Sequence, residues 1–75
     1  MDNSEGETMN EIEKRFTYHA PKGDQQKRYI TLRNKGGELA YDIEHFCPES
    51  RERSLAITKL EECIMWANAS IARNE

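Results

Sequence analysis

Pro48-Glu49-Ser50-Arg51-Glu52-Arg53-Ser54-Leu55-Ala56-Ile57-Thr58-Lys59-Leu60-Glu61, running on to Met65-Trp66-Ala67-Asn68-Ala69, is the stretch that decides the fold. Pro48 ends whatever helix comes before it, because proline has no amide hydrogen to donate and its ring crowds the preceding turn. The Ser50 hydroxyl suits the free amides of a first helical turn, and Glu52 stands where the helix dipole favours an acid. Ile57, Leu60, Ile64, Ala67 and Ile71 then recur at intervals of three and four, which is one face of a helix. The signals predict a helix over roughly 49–73. Ala56, Cys63, Met65, Trp66, Ala69 and Ala72 fall off that face. One partner helix covers one stripe, and a leftover apolar patch marks an interface. Ala56, Cys63, Met65, Trp66 and Ala69 are therefore the expected contacts between copies of the chain.

Upstream, Tyr29, Leu32, Gly36, Leu39, Ile43 and Phe46 are spaced three and four apart, a seven-residue seam. They predict a first long helix over roughly 25–46, with Asp24 as its cap. Gly36 falls in the seam and Gly37 beside it. Glycine costs about 1 kcal/mol against alanine inside a helix. Gly36 is thus either a weak point where the helix kinks or a place where another backbone or a ligand comes close. The connection between the two helices is short, so they should pair as an antiparallel hairpin. The expected fold is all-α: a two-helix hairpin with an extended N-terminal arm, completed by assembly with copies of itself.

A chain of 75 residues is one small domain, and domains this small often depend on disulfides, metals or oligomerisation. Cys47 and Cys63 would lie roughly 20 Å apart along a helix axis, too far for a bridge within the chain. No stretch reads as a signal peptide or a membrane span, so the expected setting is reduced, cytosolic and soluble. The net charge of −3 is unevenly spread. Residues 1–13 carry acids only; residues 14–40 are locally basic; residues 41–75 are acidic again. That total does not suggest binding to DNA, but it leaves room for a focused pocket for a small anion.

Residues 1–15 read as an acidic flexible tail, with a short helical turn near Glu11–Arg15. The domain proper is expected at 16–75. Its arm begins Phe16-Thr17-Tyr18-His19-Ala20-Pro21-Lys22-Gly23-Asp24, where Pro21 disfavours helix at Ala20. Aromatic rings followed by a cation suit a nucleobase and a phosphate, and stacking contributes about 1–3 kcal/mol per base. The same rings also suit a simpler task, covering the hairpin. Arg33 and Lys35 flank the seam and read either as a solvated basic face or as anion ligands. Arg51 and Arg53 stand in the first turn of the second helix, where cations oppose the dipole. Glu49 and Glu52, a neighbouring chain or a bound anion would offset them.

His19, His45 and Cys47 lack the spacing of a metal site, and no metal or other cofactor is expected. No nucleophile elbow or comparable catalytic signature is present, so the chain does not read as an enzyme. Asn68-Ala69-Ser70 matches a glycosylation sequon but lies inside a helix of a chain without a secretion signal.

Taken together, Phe16-x-Tyr18-His19-x-Pro21, Arg28-Tyr29, Arg33, Pro48-x-Ser50-Arg51-Glu52-x-Ser54-Leu55-Ala56-x-Thr58-x-Leu60-Glu61 and Met65-Trp66-Ala67-Asn68-x-x-Ile71-Ala72-Arg73 resemble small tailed-phage proteins. These are the hairpin-domain group of anti-CBASS and anti-Thoeris cyclic-nucleotide sponges. The resemblance covers about residues 16–74. It implies a compact hexamer that binds cyclic dinucleotides between protomers, and in some members cyclic trinucleotides at separate sites. It also implies no chemistry: the messenger of a bacterial host's immune cyclase is held in the cytoplasm and its effector stays silent. By position Tyr18 matches the family's arm tyrosine. Arg33 matches its basic residue, a lysine in the better-known members, which keeps the charge and changes the donor geometry. The ligand-binding set implied is Tyr18, His19, Pro21, Lys22, Arg33 and Lys35. Arg51, Arg53 and Thr58 are candidates by chemistry for a second site. The competing expectation is a phage or prophage interaction module that binds a host protein through its exposed helix. Such a module has no need of aromatic residues beside Lys22.

Overall fold

Apolar spacing and helix-stop residues yield three helices in the computed structural model, which describes residues 11–75: α1 (Glu11–Phe16), α2 (Gln25–Phe46) and α3 (Arg51–Asn74). There is no strand among the described residues. Most of the tail expected over 1–15 lies outside the described residues. Its expected turn near Glu11–Arg15 is α1, in which Arg15 Nε donates to Glu11 Oε2 at 3.2 Å. Residues 17–24 leave the helical form and make the arm.

Asp24 precedes α2 as expected, but its side chain does not cap the helix. The carboxylate accepts from Arg28 Nε at 3.2 Å instead. The cause is the turn in front of it. Gln25 N donates to Lys22 O at 3.1 Å, and Lys22 N donates to Gln25 Oε1 at 3.0 Å. Gly23 takes a φ of 59°, which a side chain would resist, and leaves Asp24 at φ −92° and ψ 12°. A capping side chain works from extended backbone, and Asp24 is not extended.

At the other end the signals work as read. Ser50 is extended and its Oγ accepts from Arg53 N at 3.0 Å, so α3 begins at Arg51, two residues after the expected start. Cys47 N donates to Ile43 O at 3.0 Å and closes α2 just before Pro48.

Three contacts fix how the long helices run. Arg28 near the start of α2 meets Glu75 just beyond α3. Gly36 in mid-α2 meets Ile64 in mid-α3. Arg53 at the start of α3 meets Glu44 at the end of α2. The helices therefore lie antiparallel. Gly36 is buried and is not a break, since α2 is helical throughout. A β-carbon there would stand 2.7 Å from Ile64 Cγ1 and 3.0 Å from its Cδ1. Neither reading holds as stated: α2 does not break here, and what comes close is the Ile64 side chain of α3, not a backbone.

Tyr29, Leu32 and Ile43 are half-buried on α2, as are Ile57, Leu60, Ile64, Ala67 and Ile71 on α3. Two expected seam residues are not in the seam. Leu39 is 48% exposed and Phe46 is 76% exposed, while Ala40 is half-buried. A helix turns once in about 3.6 residues, so a strict seven-residue pattern drifts by about 20° per heptad unless the helices supercoil. By Leu39 the inward stripe has passed to its neighbour. No apolar side chain among the described residues is fully buried. Two helices give each apolar residue shelter on one side only.

Candidate functional site

The close approach at Gly36 has a consequence next to it. Along the seam runs an open groove of about 500 Å³, lined by Arg33, Gly36, Gly37 and Ala40 of α2 and by Glu61, Met65 and Asn68 of α3. Gly37 matters here, because a β-carbon on it would meet no atom within 4 Å. The residue leaves that side of α2 without a side chain. The floor is apolar, made by Ile57, Leu60 and Ile64. Arg33 is exposed, and its guanidinium has no ion-pair or hydrogen-bond partner among the described residues. Asn68 Oδ1 is buried and unpartnered in the protomer. A buried acceptor left without a donor costs about 1–3 kcal/mol, and no protein group of the hairpin pairs with this one.

The other residues singled out from sequence are spread over the molecule. Tyr18 is 82% exposed on the arm. His19 is half-buried, with Nε2 3.2 Å from Lys14 O. Pro21 and Lys35 are exposed. Lys22 reaches the far end of the hairpin, where its Nζ donates to the Glu75 backbone oxygen at 2.6 Å. The groove lining includes Arg33 and no arm residue. Within one chain, Tyr18 and Arg33 therefore do not line a common groove.

Arg51 and Thr58 are exposed. Arg53 has an assignment that its sequence position did not reveal. Its Nη1 donates to Glu44 O and to Cys47 O, each at 3.2 Å. A cation in the first turn of α3 thus serves the last carbonyls of α2, where the dipole welcomes it. Neither a neighbouring chain nor a bound anion is needed to offset it. Of the residues expected between copies, Ala56 and Cys63 are exposed and Ala69 is half-buried. Met65 and Trp66 are both more than half exposed, and Met65 also lines the groove. His45 stacks edge-on against Phe46, with ring centroids 4.8 Å apart.

Sequence reasoning missed a cluster at the open end of the hairpin. Arg28 Nη1 donates to Glu75 Oε2 at 2.9 Å and Nη2 to Glu75 Oε1 at 2.5 Å, a two-pronged grip on one carboxylate. Gln25, only 3% exposed, donates Nε2 to Glu75 Oε1 at 3.2 Å. Hydrogen bonds from Arg28, and then from Gln25, hold the Glu75 carboxyl down at about 2. The Glu75 carboxylate in turn raises the Arg28 guanidinium above its ordinary value. Arg28 and Glu75 are 47 residues apart, and no local spacing joins them.

No helix of the structure is long and apolar enough to cross a membrane among the described residues. No curated protein and no solved structure matches the chain. The family model of the Acb2/Tad1 hairpin domain matches residues 9–72, most of the chain, and takes in the arm, α2, α3 as far as Ala72 and the groove between them. The chain belongs to the Acb2/Tad1 hairpin-domain family, the anti-CBASS and anti-Thoeris sponges.

Proposed function

We propose that this chain binds cyclic oligonucleotide second messengers and sequesters them intact, which silences anti-phage immune signalling in the host. The observation that carries the reading is the unpartnered Arg33 guanidinium at the edge of an open groove with an apolar floor. That combination suits a ligand with flat apolar faces and a charged phosphate. Guanidinium grips phosphate through paired hydrogen bonds. Tyr18, exposed on the arm, supplies the ring on which a base stacks. The groove of one chain holds no arm residue, so the ring comes from a second copy and the site is completed across a protomer boundary. Residues 16–75 are the binding unit in this reading, and cyclic dinucleotides are the first ligand class to test.

Assembly follows from the same surfaces. With no apolar side chain fully buried among the described residues, a lone hairpin has little to stabilise it. Ala56, Cys63, Met65, Trp66 and Ala69 bury themselves between copies, and a homohexamer is the state proposed. Light scattering at micromolar concentration should return the mass of six chains; the mass of one chain would overturn the assembly.

A thermal-shift screen against cyclic di- and trinucleotides tests the function. A ligand at 100 times its dissociation constant adds about 2.7 kcal/mol to the stability of the state it binds. Tyr18→Ala and Arg33→Ala should each weaken binding about tenfold or more, the loss of about 1–3 kcal/mol of contact, without changing oligomer size. Heating the complex should release an intact cyclic ligand, whereas linear nucleotide would point to a phosphodiesterase. Flat melting curves across the whole panel would shift the reading to a module that binds a host protein.

A further inference from the structure

The arm that carries Tyr18 is tied down on both sides of it, and both ties reach Asn74 and Glu75. On the near side, Lys14 Nζ donates to Asn74 Oδ1 at 2.9 Å, and Asn74 Nδ2 is itself fixed on Ser70 O at 2.9 Å. On the far side, Lys22 Nζ donates to Glu75 O at 2.6 Å. The buried Gln25 side chain joins the two partners of that tie. Its Oε1 accepts from Lys22 N at 3.0 Å and its Nε2 donates to Glu75 Oε1 at 3.2 Å. Arg28 then holds the Glu75 carboxylate from α2 with two further bonds. Only residues 15–21 span the gap between the ties, with Tyr18 in the middle and 82% exposed. Neither Asn74 nor Glu75 falls in the span 9–72 matched by the family model.

An isolated exposed ion pair contributes little, because water screens it and two side chains must be held still. This arrangement is different in kind. Gln25 is 3% exposed, and both ends of its amide are committed, one to the arm backbone and one to Glu75. Removing the Glu75 carboxylate leaves Gln25 Nε2 buried and unpaired and frees Arg28 at the same time. Residues 17–24 form no helix or strand; within the arm Thr17 N donates to Glu13 O at 2.9 Å and His19 Nε2 lies 3.2 Å from Lys14 O. These contacts anchor the start of the arm, and the ties to Asn74 and Glu75 hold its two ends against the hairpin.

We propose that Asn74 and Glu75 are positioning residues for ligand capture: they latch the arm so that the Tyr18 ring is presented in one place before the ligand arrives. This rests on the reading above, in which Tyr18 stacks on a base of a cyclic nucleotide. A ring already held in place loses less freedom on binding, and that difference appears as affinity. The latch touches no ligand atom. It acts only through Tyr18.

The test uses the full chain with Asn74→Ala and Glu75→Ala combined, which leaves neither side chain an acceptor for Lys14, Gln25 or Arg28, and Glu62→Ala as the control, since Glu62 makes a surface pair with Lys59 elsewhere on α3. Amide hydrogen exchange without ligand comes first. Exchange across 17–24 should speed up in the latch variant, while helix amides in 30–45 stay as in wild type. Affinities for cyclic di-AMP, cyclic di-GMP and cyclic tri-AMP are then measured in the wild-type and Tyr18→Ala backgrounds. The latch variant should bind about threefold to tenfold more weakly with Tyr18 present and should change nothing with Tyr18 absent, the mark of two groups that act as one. Unchanged exchange in the arm overturns the latch. So does an equal loss of affinity in both backgrounds, which a general weakening of the fold produces. If wild type binds its ligand and the latch variant binds it as tightly, the latch alone is wrong. If wild type binds none of the panel, the sponge reading falls and the capture role falls with it.

Discussion

Gly36 and Gly37 both line the groove, but Gly36 also stands in the seam between α2 and α3, with Ile64 so near that a β-carbon would lie 2.7 Å from its Cγ1, whereas a β-carbon on Gly37, one residue on, would meet nothing within 4 Å. The two glycines are neighbours on the same helical backbone. One removes a side chain so that the protein can touch itself, and the other removes one so that it touches nothing. The seam is finished within the chain. The groove, with its unpartnered Arg33 and the buried Asn68 oxygen, is not. Two helices satisfy one stripe each, and the remaining apolar and polar groups are surface for other molecules.

The strongest way to break this contrast lies outside the seam. Trp66 is 56% exposed in the protomer and belongs to the surface assigned to other copies. Trp66→Asp should lower the light-scattering mass from the assembly toward a single chain, because a charge buried without a partner is costly. A variant of wild-type mass would place Trp66 away from any interface.

Inside the seam, Gly36→Val forces branched carbons against Ile64 and should destabilise the fold by about 1–3 kcal/mol. That is a drop of about 4–8 °C in Tm for each kcal/mol in a domain of this size. Calorimetry that finds no drop would mean that the helices slide apart easily and that the seam is not a fixed contact.

Gly37→Ala sharpens the contrast with the opposite sign. Nothing crowds the new methyl group, and alanine is favoured over glycine in a helix by about 1 kcal/mol. Tm should rise slightly. If the groove is where a second copy or a ligand sits closely, the same variant should lose assembly or affinity while its helix content is unchanged by circular dichroism.

The smallest effect is electrostatic. The Glu75 carboxyl is held at about 2, below its ordinary 4.5, so folding favours its charged form. Its contribution is complete above pH about 4.5 and is lost as pH falls through about 2. The difference in Tm between wild type and Glu75→Gln should therefore be constant from neutral pH to about 4.5 and shrink toward pH 2. A difference that grows on acidification would mean that Glu75 is not stabilised as a carboxylate. The pair is well exposed, so added salt should also reduce the difference.

Much of this architecture is local chemistry, and local chemistry is readable from a chain. Pro48 and the Ser50 hydroxyl stop one helix and start the next through atoms that lie within three residues of each other. The stripe Ile57, Leu60, Ile64, Ala67, Ile71 names the inner face of α3 because a helix repeats on that spacing. The bounds of α2 follow in the same way from Gly23 and Pro48. The motifs also carried the family, since Tyr18, Arg33 and the Pro48–Arg73 segment lie in the span that the family model matches, apart from Arg73 itself.

Other features depended on geometry that residue type alone does not give, in most cases on which distant residue stood opposite. Leu39 and Ala40 are equally good seam residues on paper, and the drift of a straight helix against its partner chose Ala40. Asp24 is a good cap by type, but the Lys22–Gln25 turn gave it the wrong backbone. Arg53 reads as a cation in a poor place until the carbonyls of Glu44 and Cys47 arrive beside it. Arg28, Gln25 and Glu75 form a cluster only because the hairpin folds the two ends of the domain together. The sequence by itself determined the helices, the Ser50 cap and the apolar stripe of α3, because those interactions close within one or two turns. The tertiary structure decided the groove, the use of Arg53 and the latch on the arm, because each joins atoms that the chain order leaves far apart.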